Sequence, residues 1–334
     1  MPETTSHEKG VLWGIGGLVT FIIIVIMVVG WYWSSEPDRF DVQEEALLRS
    51  KKTDVSQLPT GYVYANTLAH IAEMLLNKPG GYITNDVAPP GVLLDDITSF
   101  EFGALIMLRD AASALRNHLA RSQSQSAEDP DLAKAEPYFY YEHDSWALPS
   151  TEKEYNKGID ALHRYMERLG NKDAKTPAQF YSRADNLWQY VEVIIKRLGG
   201  LSTRLAASTE RFENRYTAGG DVVLLEEQNA TIRKTPWIDI DNIFWESRGA
   251  AWALLHILKA IKYDFRDILL DKRAMKTVDQ MILAMEHALE PVLSPMILNG
   301  NGFGIFANYS LTMANYIARA NASALDLRDV MNRG

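Results

Sequence analysis

The chain has 334 residues, enough for one large or two ordinary domains, and its composition, 47% hydrophobic and 23% charged, is that of a globular protein. A net charge of −9 denies it the basic surface that phosphate binding needs, so neither a nucleic-acid partner nor broad adhesion to anionic lipid is expected. It contains no cysteine, which excludes disulfides and thiolate chemistry and fits an exported compartment without requiring one.

A short N-terminal tail, residues 1–10, leads into "VLWGIGGLVTFIIIVIMVVGWYW", Val11 to Trp33, an uncharged run of 23 residues. At about 1.5 Å rise per residue it is long enough to cross a bilayer, and it lacks the polar face of a core helix. It exceeds the h-region of a signal peptide, about 7–15 residues, and no small-x-small cleavage site follows, so an uncleaved anchor is expected. Trp13 at one end and Trp31, Tyr32 and Trp33 at the other suit aromatic belts. Lys9 on one flank is set against Arg39, Arg49, Lys51 and Lys52 on the other, so charge does not decide orientation; the expectation is the head inside and the large domain outside. Gly10, Gly14 and Gly17 lie at i, i+4, i+7, a spacing that lets two such helices approach as a homo-oligomer and that also occurs in membrane helices for no such reason.

Residues 34–59 read as a polar juxtamembrane connector with room for one short helix. From 60 to 334 the apolar residues recur at alternating spacings of three and four, which predicts a mostly α-helical domain, a multi-helix bundle with long antiparallel helices. One series runs Tyr64, Leu68, Ile71, Leu75; the longest runs from Phe180 through Ala184, Leu187, Val191, Ile194, Leu198, Leu201 and Leu205 to Ser208 and Phe212, passing Gly199-Gly200 without a phase shift. Another continues Val278, Ile282, Met285, Leu289, Val292, Met296. Thr151 with Glu154, and Thr176-Pro177 with Gln179, are expected capping boxes, and Gly170 a helix-ending residue. Two regions break the period: Ala127–Ser150, read as an aromatic loop, and Gly219–Asp241, read as an irregular element or a small β-hairpin.

The segment "KPGGYITNDVAPPGVLLDD", Lys78 to Asp96, is the leading candidate site, since connections in bundles usually take about 2–8 residues. Asn85, Asp86, Asp95, Asp96 and nearby Glu101 offer oxygen ligands or an acid/base pair; equally, the glycines and prolines stop one helix and the aspartates start the next. Glu246-Ser247 at a helix start resembles the acid of lytic transglycosylases, a likeness of two residues that lacks that family's Gly-Leu-Met-Gln segment. Tyr138, Tyr140 and Trp146 in "YFYYEHDSW" suit stacking on a sugar or a partner chain, or simply packing. The histidines have no metal-ligand spacing and no phosphate loop or nucleophile elbow occurs, so no metal and no cofactor is expected.

Five segments, "SSEPDRFDV", "KPGGYITNDVAPPGVLLDDITSFEFGALIMLRD", "RSQSQSAEDPDLAKAEPYF", "TPWIDIDNIFWESRGAAWALLHILKAI" and "SPMILNGNGFGIFANYSLTMANYIARANA", follow the anchor in order, and together they resemble domain-of-unknown-function family 2333, a group of proteobacterial inner-membrane proteins. The resemblance implies an inner-membrane anchor, a cytoplasmic N-terminus and a periplasmic helical domain, and carries over no catalytic residue. The expected function is therefore an envelope interaction or scaffold protein with envelope proteins as partners. A peptidoglycan-acting enzyme and a small-ligand binding module are the alternatives.

Overall fold

The computed structural model describes residues 6–121, 128–171, 173–209, 211–213, 231–294, 296–301 and 306–332. Among them are eleven α-helices and one two-stranded antiparallel pair. The first helix, α1 (Ser6–Trp33), contains Leu12–Trp33, the one described helix long and apolar enough to cross a membrane. Its mid-section touches no other part of the chain: a Cβ added at Gly14, Gly16 or Gly17 would meet nothing within 4 Å.

The segment after α1 is packed rather than loose. It forms α2 (Val42–Ser50), N-capped by the Asp41 carboxylate, and buries Val42 and Ala46. Phe40 stacks on His256 at 3.9 Å, and its N–H donates to His256 Nε2 at 3.1 Å. Burial pushes the His256 imidazole down to about 3, so it stays neutral and works as a fixed acceptor.

Next come α3 (Tyr62–Asn77), α4 (Asp95–Ala114) with a π-helical turn to Leu119, α5 (Leu132–Phe139), α6 (Thr151–Arg168) and α7 (Ala184–Ala206). After the strands β1 (Arg211–Glu213) and β2 (Thr231–Arg233) follow α8 (Ile240–Asp264), α9 (Arg266–Asp271), α10 (Met275–Ala288) and α11 (Tyr309–Asn332). The centre is α4 against α8, which start side by side with Asp96 near Asp241 and Trp245 and cross where Gly103 and Gly249 meet. Their backbones touch: a Cβ at Gly103 would lie 1.9 Å from Glu246 O, and one at Gly249 1.9 Å from Phe100 O. Antiparallel to α8 lies α10, tied by Lys259–Glu286 at 2.9 Å and Lys262–Asp279 at 2.6 Å. The pair α7 and α11 is antiparallel too, with Arg328 reaching Glu192 at 3.4 Å.

The N-terminus of α3 is capped from a distance. Asp264, at the far end of α8, accepts the Gly61 and Tyr64 N–H groups at 2.7 Å each. Burial pushes its carboxyl up to about 7 despite those two bonds.

Several expected boundaries move. The long seam begins at Ala184, because residues 178–181 spend their backbone groups elsewhere: Ala178 bridges Leu169, Tyr181 N–H donates to Leu119 O, and Gln179 O accepts from Tyr165. Thr176 therefore caps nothing, and the helix stops at Ala206, short of Ser208 and Phe212. Ser150, not Thr151, caps α6, while Thr151 Oγ1 is bonded into the preceding loop at Glu142 and Ser145. The aromatic loop contains α5, whose Leu132, Ala135 and Phe139 are buried at helical spacing although Pro137 lies within it. Beyond Ala288 the chain is no longer helical, so Leu289, Val292 and Met296 leave the α10 seam. Gly170 ends α6 in the left-handed region, φ +76°, as expected. Within the region expected to hold an irregular element or hairpin only β2 falls; its partner β1 lies before it, where the helical seam was expected to run on to Phe212, and residues 214–230 lie outside those described.

Helix α7 does pass through Gly199-Gly200. A Cβ at Gly200 would meet nothing within 4 Å. Gly200→Ala is expected to stabilise the protein by about 1 kcal/mol through helix propensity alone, measurable by denaturant unfolding of the detergent-solubilised chain.

Candidate functional site

The segment from Lys78 to Asp96 leaves α3 through two left-handed glycines, Gly80 at φ +84° and Gly81 at φ +77°. Gly80 is also a contact: a Cβ there would lie 2.6 Å from the Trp33 ring at the end of α1. The chain then folds over the Glu101 carboxylate of α4. Glu101 accepts the Ile83 N–H at 3.0 Å, the Thr84 N–H at 2.9 Å and the Thr84 hydroxyl at 2.5 Å. Lys78 Nζ stands 2.8 Å from the same carboxylate, not aligned as a hydrogen bond but a close ion pair, and both side chains are essentially inaccessible. Burial pushes the Glu101 carboxyl up, with Lys78 and the Thr84 and Ile83 bonds pulling the other way.

Asn85 is buried and donates to Ser145 O at 3.0 Å and Glu152 Oε2 at 2.9 Å, fastening the segment to the loop before α6. Asp86 lies against Gly91, where a Cβ would stand 1.9 Å from Asp86 Oδ2. Its carboxyl is pushed up by burial and by Glu152. Pro90 and Leu94 pack on α1, 3.4 and 3.5 Å from where a Cβ at Gly30 would be. The segment is thus a turn-built platform wedged between the end of α1 and the bundle.

Asp95 and Asp96 occupy the first turn of α4. Asp96 is pushed up to about 6 by burial and by Asp95 and Asp241, and its Oδ1 faces the Trp245 indole N–H without reaching hydrogen-bond geometry. A raised carboxyl favours the fold when protonated, a contribution present below pH 3.8 and lost as pH rises through 6. Asp96→Asn is therefore expected to stabilise the protein at pH 7.5 by about 1 kcal/mol, discounted because the carboxyl is half-exposed, with no gain near pH 3.5. Melting curves at the two pH values check it.

Glu246 forms a two-point pair with Arg204 of α7, through Oε1–Nη1 at 2.7 Å and Oε2–Nη2. Arg109 stands 5.6 Å over the Tyr140 ring and Lys157 5.4 Å over that of Tyr138, while Trp146 is exposed beside the Ser145 that holds Asn85. The predicted residues therefore form separate contacts, spread from the first turn of α4 at Asp95 to Arg109 near its other end. A cleft of about 680 Å³ lies elsewhere, between α2 and α8–α10, and none of them lines it.

Three groups that join the end of α1 and the segment after it to the bundle were not anticipated. Arg248 is buried in α8, binds Glu36 at 2.8 and 2.9 Å, and donates to the carbonyl of Ala288, which ends α10, and to those of Leu289 and Glu290 just beyond it. Arg39 adds a bond to Leu289 O, and the Trp252 indole one to Asp38 O. The signal available was a lone arginine in "GAAWALLHI" company, the one cation between Trp245 and Lys259.

These features define a helical bundle clamped to a single apolar helix. The family model described as an uncharacterized protein conserved in bacteria, domain of unknown function 2333, matches residues 6–334, and the chain belongs to that family. No curated protein and no solved structure matches it.

Proposed function

We propose that this chain is a single-pass inner-membrane protein of the bacterial envelope, its N-terminus cytoplasmic and its bundle periplasmic, that acts as an interaction or scaffold protein. The observation that supports this reading is how the candidate acids are used: Glu246 is held at two points by Arg204, and Glu101 is sealed against Lys78. Groups so engaged hold helices together. Crosslinking of the full-length protein in the membrane, followed by pull-down, tests it; the expected result is a defined set of envelope proteins. Turnover of peptidoglycan by the purified protein, lost in Glu246→Gln, would overturn it in favour of the enzyme.

Self-association through Gly10, Gly14 and Gly17 belongs to the same proposal, and the open faces of Gly14 and Gly17 favour it. Gly14→Leu with Gly17→Leu is expected to reduce dimer crosslinks at least tenfold while leaving the melting temperature of the bundle unchanged.

A further inference from the structure

We propose that the end of the bundle carrying α1 rests in the headgroup layer of a lipid bilayer, with an exposed apolar collar inserted around the anchor. The inference builds on the reading of α1 as a membrane span and concerns a different surface. Pro90 and Leu94 pack on Gly30, three residues inside the end of α1 at Trp33. At 1.5 Å per residue the platform overlaps the apolar helix by about 4–5 Å. Its next exposed side chains, Val92 and Leu93, are therefore carried to the boundary between headgroups and acyl chains.

Other chain segments bring apolar residues to the same end. Asn85 fastens the loop bearing Trp146 and Leu148 to this platform. Helices α4 and α8 start side by side, with Asp96 beside Asp241 and Trp245, so Trp237, three residues ahead of α8, lies there as well. The carbonyls of Leu289 and Glu290, just after α10, are held by Arg248 and Arg39 next to Glu36, which places the following Leu293 at the base of α1. Trp237, Leu148 and Leu293 are 83%, 99% and 93% exposed, a cost in water that insertion beside an anchor removes. At the opposite end, about 37 Å away along the 25 residues of α8, exposed Leu270 stands among Asp267, Asp271, Lys272 and Arg273. Asp86, Asp95 and Asp96 stand beside the collar, so apolar insertion rather than attraction to anionic lipid holds it.

Because the chain has no cysteine, single reporters can be placed at will. The full-length protein is reconstituted in phosphatidylethanolamine vesicles with and without phosphatidylglycerol. Spin labels are attached at Leu93→Cys, Trp146→Cys, Trp237→Cys or Leu293→Cys, with Val19→Cys and Leu270→Cys as references. The expected result is that collar labels, like Val19, are relaxed more by oxygen than by a water-soluble nickel chelate, that Leu270 shows the reverse, and that the anionic lipid changes neither. Collar labels behaving like Leu270 while Val19 stays in lipid would overturn the collar and leave the anchor standing. Labels shielded from both reagents would put a second copy of the chain on this surface and also overturn it. A Val19 label in water would remove the anchor and the collar together.

Discussion

Lys78→Met is expected to cost about 3–5 kcal/mol at neutral pH, because it leaves the Glu101 carboxylate buried without its counter-charge. The carboxylate would still accept from Ile83 and Thr84, but nothing would neutralise it. Two signatures separate this from a general packing defect. Glu101 already has a raised carboxyl, so the variant should regain stability as pH falls and Glu101 takes up a proton. Adding Glu101→Gln should restore more than half of the loss, since the amide oxygen keeps accepting the two backbone N–H groups while the charge is gone. Urea unfolding of the detergent-solubilised chain at pH 7.5 and pH 5 reads both. The platform should loosen as well, so protease cleavage between Gly80 and Leu94 should accelerate in the single variant and not in the double.

The second large effect is at the helix crossing. Gly103→Ala and Gly249→Ala are each expected to destabilise by about 3 kcal/mol or more, although alanine is the better helix former. In both cases the added Cβ would lie 1.9 Å from a carbonyl oxygen of the opposite helix, and a backbone atom cannot turn aside as a flexible side chain can. The two changes should not add: once α4 and α8 have moved apart to admit one methyl, the second finds room, so the double variant should cost less than the sum. Gly200→Ala, the same substitution at an open position, should have the opposite sign. The comparison tests whether the space around a glycine, rather than its helix propensity, decides the outcome.

What could be read in advance was what local period carries. The 23-residue apolar run, the seam of α3, the first half of the α10 seam through Val278, Ile282 and Met285, and the helix-ending role of Gly170 are patterns of neighbouring residues and needed no tertiary knowledge. The same rule misplaced the start of α7, because the three-and-four spacing of Phe180 and Ala184 holds whether or not the intervening backbone is helical. Here Phe180 lies over Gly61 and packs on Phe265 instead. It also missed α5, whose buried face of three residues is short and whose Pro137 reads as a breaker. The site was the harder part. Glu36 and Arg248 are 212 positions apart, and Gly61 and Asp264 are 203 apart, and nothing in either neighbourhood announces the partner. The aspartates and Glu101 were visible as a cluster, but whether they face a ligand or one another depends on Lys78, Gly91 and the end of α1, which only the fold brings together.

The joint between α1 and the bundle leaves no slack: Trp33 lies on Gly80, Glu36 on Arg248, Phe40 on His256 and Arg39 on Leu289. A domain on a flexible tether sweeps a volume set by its linker. This one behaves as a bracket, whose height is set by its longest helices. The far end of α8, with its terminal turns, stands about 40 Å along the helix from the end that carries α1. Any tilt or rotation of α1 is passed directly to the orientation of the whole bundle.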